Sequence, residues 1–282
     1  MTARVLIPIG ALCGFLNVLS AQCSDAGVCS LGQRSEPSAH SVSLSYGFGK
    51  SGKTDSLTFH AIEAAASIEI IPGGRLLIAV PFNNQSGPLG SVSGIGDLTV
   101  AWHQTLSSSE PWAVGFQVGG KIALAHVNAE NLPQAYQSGL GTNDLLLGVL
   151  VQYSEWNAAL AYQYSPGRSD NRLTRLKRGD DLLVRAGYTS MVDGFRLAGE
   201  ILAIKRLHRS SIVTSTLGQL ETFGDVPDSD QAQVNLVGRG AYPLSETVEI
   251  GFMAAIPLLK REVNVDGLTR SIALSAGLTV SL

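Results

Sequence analysis

The sequence lacks any long hydrophobic run beyond its N-terminus. After the first 21 residues, no stretch approaches the ~18 consecutive apolar residues that a membrane-spanning helix needs. Charged residues make up only 15% of the 282 residues and the net charge is −3, which argues against a strongly basic nucleic-acid-binding surface. Glycine, in contrast, is abundant, with 31 residues. Many small residues, moderate hydropathy and no helical span are together typical of a transmembrane β-barrel.

Motifs for common enzymatic chemistry are missing as well. The sequence has no phosphate-binding P-loop, no Rossmann fingerprint and no histidine cluster with metal-ligand spacing. His103 is the histidine expected inside a barrel, with Ser67 or Thr99 as conceivable neighbours, and a lone histidine is more often structural than catalytic. We therefore predict no enzymatic activity, no metal and no cofactor. A lipase-type outer-membrane enzyme stays open as the least favoured alternative.

Cysteine is scarce, with three residues in the whole chain. Residues 1–21 have the pattern of a secretory signal, because Arg4 precedes a short apolar run and small residues allow cleavage after Ala21. Cleavage removes Cys13 and leaves Cys23 and Cys29 in the oxidising periplasm, where a small disulfide loop is the favoured prediction. Lipidation of Cys23 is the second choice, and a metal pair is disfavoured because no third ligand lies nearby.

What the sequence does contain is alternation. From Leu268 to Leu282 large apolar residues fall on one parity and small or polar residues on the other, with Arg270 as the exception. Such a strand has one apolar and one polar face. Eleven further segments alternate, which predicts an all-β fold: a transmembrane antiparallel up-and-down β-barrel of about 12 strands over residues 41–282, after a periplasmic segment 22–40. We predict strands at Ser41–Phe48, Thr58–Ile71, Arg75–Phe82, Gly94–Thr105, Trp112–His126, Asn143–Ser154, Trp156–Ser165, Asp181–Met191, Phe195–Arg206, Ala232–Tyr242, Val248–Lys260 and Leu268–Leu282.

The connections between these segments support the barrel. Short turns alternate with longer loops, as periplasmic turns and extracellular loops do in outer-membrane barrels. Aromatic residues gather at both ends of the strands, where two interfacial girdles are expected. An even strand count places both termini in the periplasm, so the last strand should pair with Ser41–Phe48 and close the barrel. We predict a location in the bacterial outer membrane.

Charged residues within the strands fall almost entirely on the parity opposite the apolar one, because a charge facing lipid costs about 2–4 kcal/mol. Several of these charges also segregate by strand: Glu63 and Glu69 lie on the second predicted strand and Glu249 on the eleventh, whereas Arg185, Arg196 and Arg239 lie on the eighth to tenth. They either form ion-pair networks that fill a narrow barrel or face each other across a pore and orient a polar solute; twelve strands favour a narrow or partly occluded conduit. The predicted lumen-lining or solute-contact residues are Glu63, Glu69, Asp97, His103, Lys121, Arg185, Arg196, Glu200, Arg239 and Glu249.

Basic residues gather in two of the long loops. The first loop carries the predicted basic rim, formed by Arg168, Arg172, Arg175, Lys177 and Arg178. Such a rim could bind phosphates of lipopolysaccharide or attract anionic solutes. An ordinary solvated and partly self-neutralised loop surface is the equal alternative.

The segment Ser93 to Val100, Ser-Gly-Ile-Gly-Asp-Leu-Thr-Val, resembles a bacterial outer-membrane family of proposed transporters associated with meta-pathway phenol degradation. The resemblance implies a passive channel for small aromatic or hydrophobic molecules and singles out Asp97. One departure is the last residue, Leu282, where the barrel-assembly signal more often has phenylalanine.

We therefore expect an outer-membrane channel or transporter for passive uptake or efflux of a small solute. Its expected partners are outer-membrane lipid and lipopolysaccharide, the barrel-assembly machinery and the solute, with no nucleic acid. The alternative is a structural or interaction barrel whose lumen is plugged.

Overall fold

The computed structural model describes residues 40–52, 56–217 and 220–282. The predicted signal sequence, the N-terminal segment up to residue 39 and the predicted Cys23–Cys29 disulfide lie outside these residues. Fifteen strands and two short 3-10 helices, Ala129–Asn131 and Gln134–Tyr136, are present in the described part. The strands are β1 His40–Lys50, β2 Thr58–Ile71, β3 Gly74–Gly87, β4 Gly90–Ile95, β5 Leu98–Ser109, β6 Trp112–Ile122, β7 Asp144–Tyr153, β8 Trp156–Tyr164, β9 Asp181–Val192, β10 Phe195–Arg206, β11 Ser211–Leu217, β12 Leu220–Asp225, β13 Ala232–Pro243, β14 Val248–Leu259 and β15 Ile272–Ser281.

Twelve of these strands form one closed antiparallel barrel. Each barrel strand pairs with its neighbour in the chain, and β15 pairs with β1 through contacts such as Val42 with Val280 and Phe48 with Leu274. The predicted closure by the last strand is confirmed. One end of the barrel carries the short turns, the start of β1 and the end of β15, and we call it the short-turn end. The opposite end, which carries the long connections, is the long-loop end.

Alternation explains the two surfaces of the wall. Apolar side chains of one parity point outwards and are exposed on the barrel surface, as for Leu44 at 59% and Val149 at 52%. Such a band suits contact with lipid tails. At the short-turn end aromatic rings pair across neighbouring strands: Trp112 with Tyr153, Trp156 with Tyr188 and Phe195 with Tyr242, with ring centroids 4.6–5.0 Å apart. The girdle expected at this end is confirmed.

No helix in the described part of the chain is long and apolar enough to cross a membrane.

The predicted end of the third strand at Phe82 is wrong. β3 continues through Pro81 to Gly87 and pairs there with β4, whereas its ladder with β5 stops at Ala79 opposite Thr99. The predicted fourth strand is therefore two strands, interrupted at Gly96 and Asp97. The chain bends there because the Gly96 N–H donates to the Pro81 carbonyl at 2.8 Å, and a Cβ at Gly96 would lie 2.8 Å from the Pro81 ring.

The connection between β10 and β13 also differs from its prediction as a plain loop, because it contains the β11–β12 hairpin. Backbone bonds in both directions between Lys177 and Ser211 fix this hairpin to the β8–β9 connection. The signal was weak in the sequence, since the hairpin is mostly exposed and its alternation is short.

Candidate functional site

The inner face of the barrel wall is polar. Side chains of the parity opposite the apolar one are buried, among them Gln117 on β6, Gln163 on β8, Gln233 and Asn235 on β13. The charges on this face form separate groups at different depths.

The largest group is a buried ionic cluster at the long-loop end. Asp181 at the start of β9 is contacted by three guanidinium groups: Arg206 at 3.1 Å, Arg261 at 3.3 Å and Arg178 at 3.6 Å. Asp266 from the β14–β15 connection accepts from Arg206 at 2.8 Å. The side chains of these five residues are at most 3% exposed. We call them, together with Asp144, the mouth cluster.

Asp144 joins the mouth cluster at the start of β7. Its Oδ2 accepts from Arg178 at 3.0 Å and from the Gln163 amide at 2.5 Å. The charges of three aspartates and three arginines therefore balance within the cluster. Burial alone would raise the pKa of the Asp266 carboxyl, but the charges of Arg206, Arg178 and Arg261 outweigh it and lower that pKa to about 2. The cluster ties β7, β9, β10 and two connections together.

A second group lies halfway down the wall. Glu200 on β10 has its Oε2 3.6 Å from Arg185 Nε on β9 and 3.3 Å from Arg239 Nη2 on β13. Glu200 and Arg185 are at most 5% exposed. One carboxylate therefore serves two guanidinium groups.

The other charges near the short-turn end pair locally. Arg196 donates to Glu249 at 2.6 Å, and Arg75 lies 4.0 Å from Glu69. The hypothesis of one acidic row facing one basic row therefore needs correction, because two of its acidic members are neutralised by an adjacent arginine. Glu63 on β2 is the remaining one, and it forms no ion pair within the described residues.

Asp97 has a different surrounding from the one expected of a solute-contacting residue. Its carboxylate is fully buried and lies 3.8 Å from Lys121. It accepts hydrogen bonds from four backbone N–H groups, those of Leu124, Ala125, Leu140 and Gly141, at 2.7–3.3 Å. Asp97 thus joins both ends of the β6–β7 connection, and its oxygens are occupied by these donors.

The β6–β7 connection, residues 123–143, crosses the long-loop end, and we call it the crossing loop. Tyr136 packs on Leu57 and Phe59 from the β1–β2 side. Farther round the barrel, the Gln134 amide oxygen accepts from Ser169 at 2.5 Å, and the Ala135 carbonyl would lie 2.7 Å from a Cβ at Gly267. The crossing loop therefore contacts connections from several sides of the mouth.

Amide side chains hold the crossing loop in place. Asn171 donates to the carbonyls of Val127 and Leu132 at 2.6 and 2.9 Å, and Gln137 donates to Leu132 at 2.7 Å. Asn83 on β3 donates to the Ser138 carbonyl at 2.5 Å. These polar residues are buried, so the crossing loop is an ordered part of the barrel entrance.

The predicted basic rim is largely neutralised. Arg178 belongs to the mouth cluster and is 3% exposed. Arg175 contacts Asp170 at 2.6 Å and Glu221 at 3.1 Å, and Arg168 stacks 3.7 Å from the Phe223 ring centroid. Arg172 and Lys177 are the exposed members. The partly self-neutralised surface describes this loop better than a continuous basic rim.

His103 forms no nucleophile–base pair among the described residues. It lies on β5 between Arg75 and Gln117 in the register, and within the described ranges its ring forms no hydrogen bond with a serine hydroxyl. Those ranges also hold no group of three or more His, Cys, Asp or Glu side chains that could bind a metal.

Comparison with known proteins agrees with the barrel architecture. An outer-membrane channel from Pseudomonas putida F1 superposes with a TM-score of 0.64 at 14% identity, over 88% of this chain and 96% of that chain. This chain has the fold of an outer-membrane β-barrel. The NanC porin matches with a TM-score of 0.49 at 11% identity, over 85% of this chain and 98% of that chain. The CymD monoaromatic hydrocarbon channel matches with a TM-score of 0.45 at 12% identity, over 93% and 94%.

Sequence comparison adds nothing to the structural match, because no protein-family model and no curated protein matches the sequence. The fold implied by the family resemblance is confirmed, and the outer membrane is where a barrel of this kind resides.

Sequence reasoning missed the mouth cluster as a unit. Asp181 and Arg206 both fall on the inward parity of their strands, so their proximity was accessible from the predicted register. Arg178, Arg261 and Asp266 come from connections without periodicity. No pattern in the sequence therefore predicted that these three side chains meet Asp181 and Arg206.

Proposed function

We propose that this outer-membrane barrel is a narrow channel for passive passage of a small solute, with an aromatic or hydrophobic molecule as the favoured class. The observation that carries the proposal is the polar inner wall, where charges lie at three depths: the mouth cluster, the Glu200 group and the pairs at the short-turn end. A barrel that served only as a membrane anchor would gain more from apolar packing than from buried ion pairs.

The solute contacts follow from this arrangement. Glu63, Arg185, Glu200 and Arg239 are the proposed contacts at mid-depth, and Glu69, His103, Arg196 and Glu249 those nearer the short-turn end. Lys121 is proposed to act with Asp97 at the crossing loop. The outer-membrane channel of Pseudomonas putida F1 supports the proposal by its shared fold.

Planar-bilayer recording of the purified full-length protein tests the proposal. We expect small, discrete conductance steps in KCl, and liposome swelling with small neutral aromatic solutes that is faster than with disaccharides. The same preparation denatured before insertion is the control. Absence of conductance and of swelling for every small solute would contradict the channel.

The plugged-barrel alternative is favoured by one observation, the crossing loop held over the mouth by Asp97. The two functions separate in an Asp97→Asn variant, which should release that loop. A channel with an ordered entrance gains conductance in this variant, whereas a plugged structural barrel stays closed in both forms. We propose no enzymatic activity, and hydrolysis of a phospholipid substrate by the purified barrel would refute this part.

A further inference from the structure

Most charges of the inner wall are balanced by an adjacent partner, and the exceptions at mid-depth among the described residues are the Glu200 group and Glu63 on the opposite wall. In the part of the chain that the structure describes, the mouth cluster has three acids and three bases. Asp97 pairs with Lys121, Glu69 with Arg75, and Glu249 with Arg196. The Glu200 group has one carboxylate for two guanidinium groups, so it has a net charge of +1 by this count.

The register explains how two arginines come to share one carboxylate. Glu200 lies opposite Gly187 on β9 and opposite Val237 on β13. Arg185 lies two residues nearer the long-loop end than Gly187, and Arg239 two residues nearer the short-turn end than Val237. Both guanidinium groups therefore approach Glu200 diagonally, one from above and one from below, as neighbouring strands allow.

The group has unused hydrogen-bonding capacity. Arg239 Nε and Nη2 are buried and form no hydrogen bond with any described residue, although Nη2 lies 3.3 Å from Glu200. On the other side of Glu200, next to Gly187, the Asn157 Oδ1 is equally unbonded. Buried polar groups of this kind normally have partners, and a guanidinium presents a planar set of donors that matches a carboxylate.

Space at the group is kept by a glycine. A Cβ at Gly187 would lie 2.6 Å from Glu200 Cγ and 3.2 Å from Asn157 Oδ1. Any larger residue at 187 would therefore force the carboxylate and the amide to move.

The opposite wall adds a constraint on charge. In the strand order β2 lies six strands from β9, which is half of the twelve-stranded barrel. Glu63, near the middle of β2, is therefore across the lumen from Arg185 and forms no ion pair among the described residues. A single negative charge near the arginines is favoured, whereas a second one directed towards Glu63 is repelled.

We propose that Arg239 and Arg185, together with Asn157 and Glu200, form a mid-channel binding site for a small monocarboxylate. The proposal rests on the channel function and names its solute class. The carboxylate accepts from the Arg239 and Arg185 guanidinium groups, and the rest of the molecule extends towards the Glu63 wall. Monoanions pass with transient binding, and dianions of similar size bind more weakly.

Block of the KCl current by benzoate tests the site in planar bilayers with the full chain. We expect benzoate to reduce the wild-type current, and Arg239→Gln to raise the half-blocking concentration by about tenfold or more, as loss of a charge-assisted bond implies. Arg75→Gln removes the same charge from the opposite side near the short-turn end and is the matched control, with a change of less than about twofold. Terephthalate should block less effectively than benzoate, and Glu63→Gln should reduce this difference.

Heat-modifiable gel mobility checks that each variant folds. Glu200→Gln provides a second test of the site. It leaves both arginines in place and removes their neutralising charge, so benzoate should block at lower concentration. Equal block of wild type, Arg239→Gln and Glu200→Gln would overturn the site while the channel stands.

A barrel without conductance would contradict the channel, and a binding readout then still tests the site. The ¹⁹F resonance of 4-fluorobenzoate should broaden in the presence of detergent-solubilised wild-type protein and of Arg75→Gln, and stay sharp with Arg239→Gln. Equal line widths with all three proteins would refute the site independently of conduction.

Discussion

Replacing Asp97 by asparagine should release the crossing loop without unfolding the barrel. The carboxylate accepts from four backbone N–H groups through two oxygens, whereas asparagine has one acceptor oxygen and presents an NH₂ group in place of the other. Two of the four N–H groups therefore lose their acceptor and meet a donor.

The magnitude follows from this count. Hydrogen bonds to a charged group contribute about 1.5–3 kcal/mol each, so two of them correspond to about 3–6 kcal/mol for the closed loop. Lys121 also loses its counter-ion at 3.8 Å. Since about 1.4 kcal/mol is a factor of ten, the closed-to-open equilibrium should shift by about 10²-fold or more, while the strand ladders stay intact.

Hydrogen–deuterium exchange with mass spectrometry measures this shift, because amides exchange through local opening. Peptides covering residues 123–143 should lose protection by about two orders of magnitude, and peptides of β9 and β10 should not change. Asp170→Asn is the matched control, since it makes the same substitution at a carboxylate that pairs with the Arg175 side chain and is 85% exposed. Unchanged protection of residues 123–143 in Asp97→Asn would refute the role assigned to Asp97.

Two further predictions test the packing and the mouth cluster. Gly119→Ala should sharply lower the folded, heat-modifiable fraction on gels, because its Cβ would lie 2.4 Å from the Val100 carbonyl oxygen. Gly238→Ala is the control and should fold like wild type, since its Cβ meets nothing within 4 Å. Equal folded yields of the two variants would contradict the β5–β6 packing. Asp266 has a pKa lowered to about 2 by its arginines, so its stabilising effect is complete above about pH 4 and is lost as the pH falls through about 2. Pepsin should therefore cut the 260–271 connection of the wild type only near pH 2. In Asp266→Asn it should cut this connection at every pH at which pepsin is active. Cutting of the wild type already at about pH 4 would argue against the ion pairs.

The barrel was largely predictable from the sequence because the membrane imposes a strict alternation on every spanning strand. The strand β2, with Ile62 outward and Glu63 inward, is an example in which parity alone assigns both faces. β3 was predicted less well, since Pro81 suggested an end. Proline lacks only its own N–H donor, and the strand can continue when its other contacts are kept.

The candidate site was predictable only in part. Parity indicated that Arg185, Glu200 and Arg239 face inwards, but their diagonal contacts depend on the register of three strands, which the sequence left uncertain by a few residues. The crossing loop had no periodic signal at all. Its place is set by backbone amides meeting Asp97 and by amide side chains such as Asn171, which no spacing rule anticipates.

The entrance and the mid-depth group should act independently, because they share no residue. Asp97, between β4 and β5, controls whether the crossing loop covers the mouth, and Arg239 on β13 acts on the charge of the passing solute. Effects of distant sites without common partners add. Asp97→Asn should therefore raise conductance and leave the half-blocking benzoate concentration unchanged, whereas Arg239→Gln should raise that concentration and leave the exchange of residues 123–143 as in wild type. In the double variant both changes should appear at their single-variant size. A changed half-blocking benzoate concentration in the Asp97→Asn single variant would mean that the crossing loop reaches the solute site. The entrance and the mid-depth group would then not act independently.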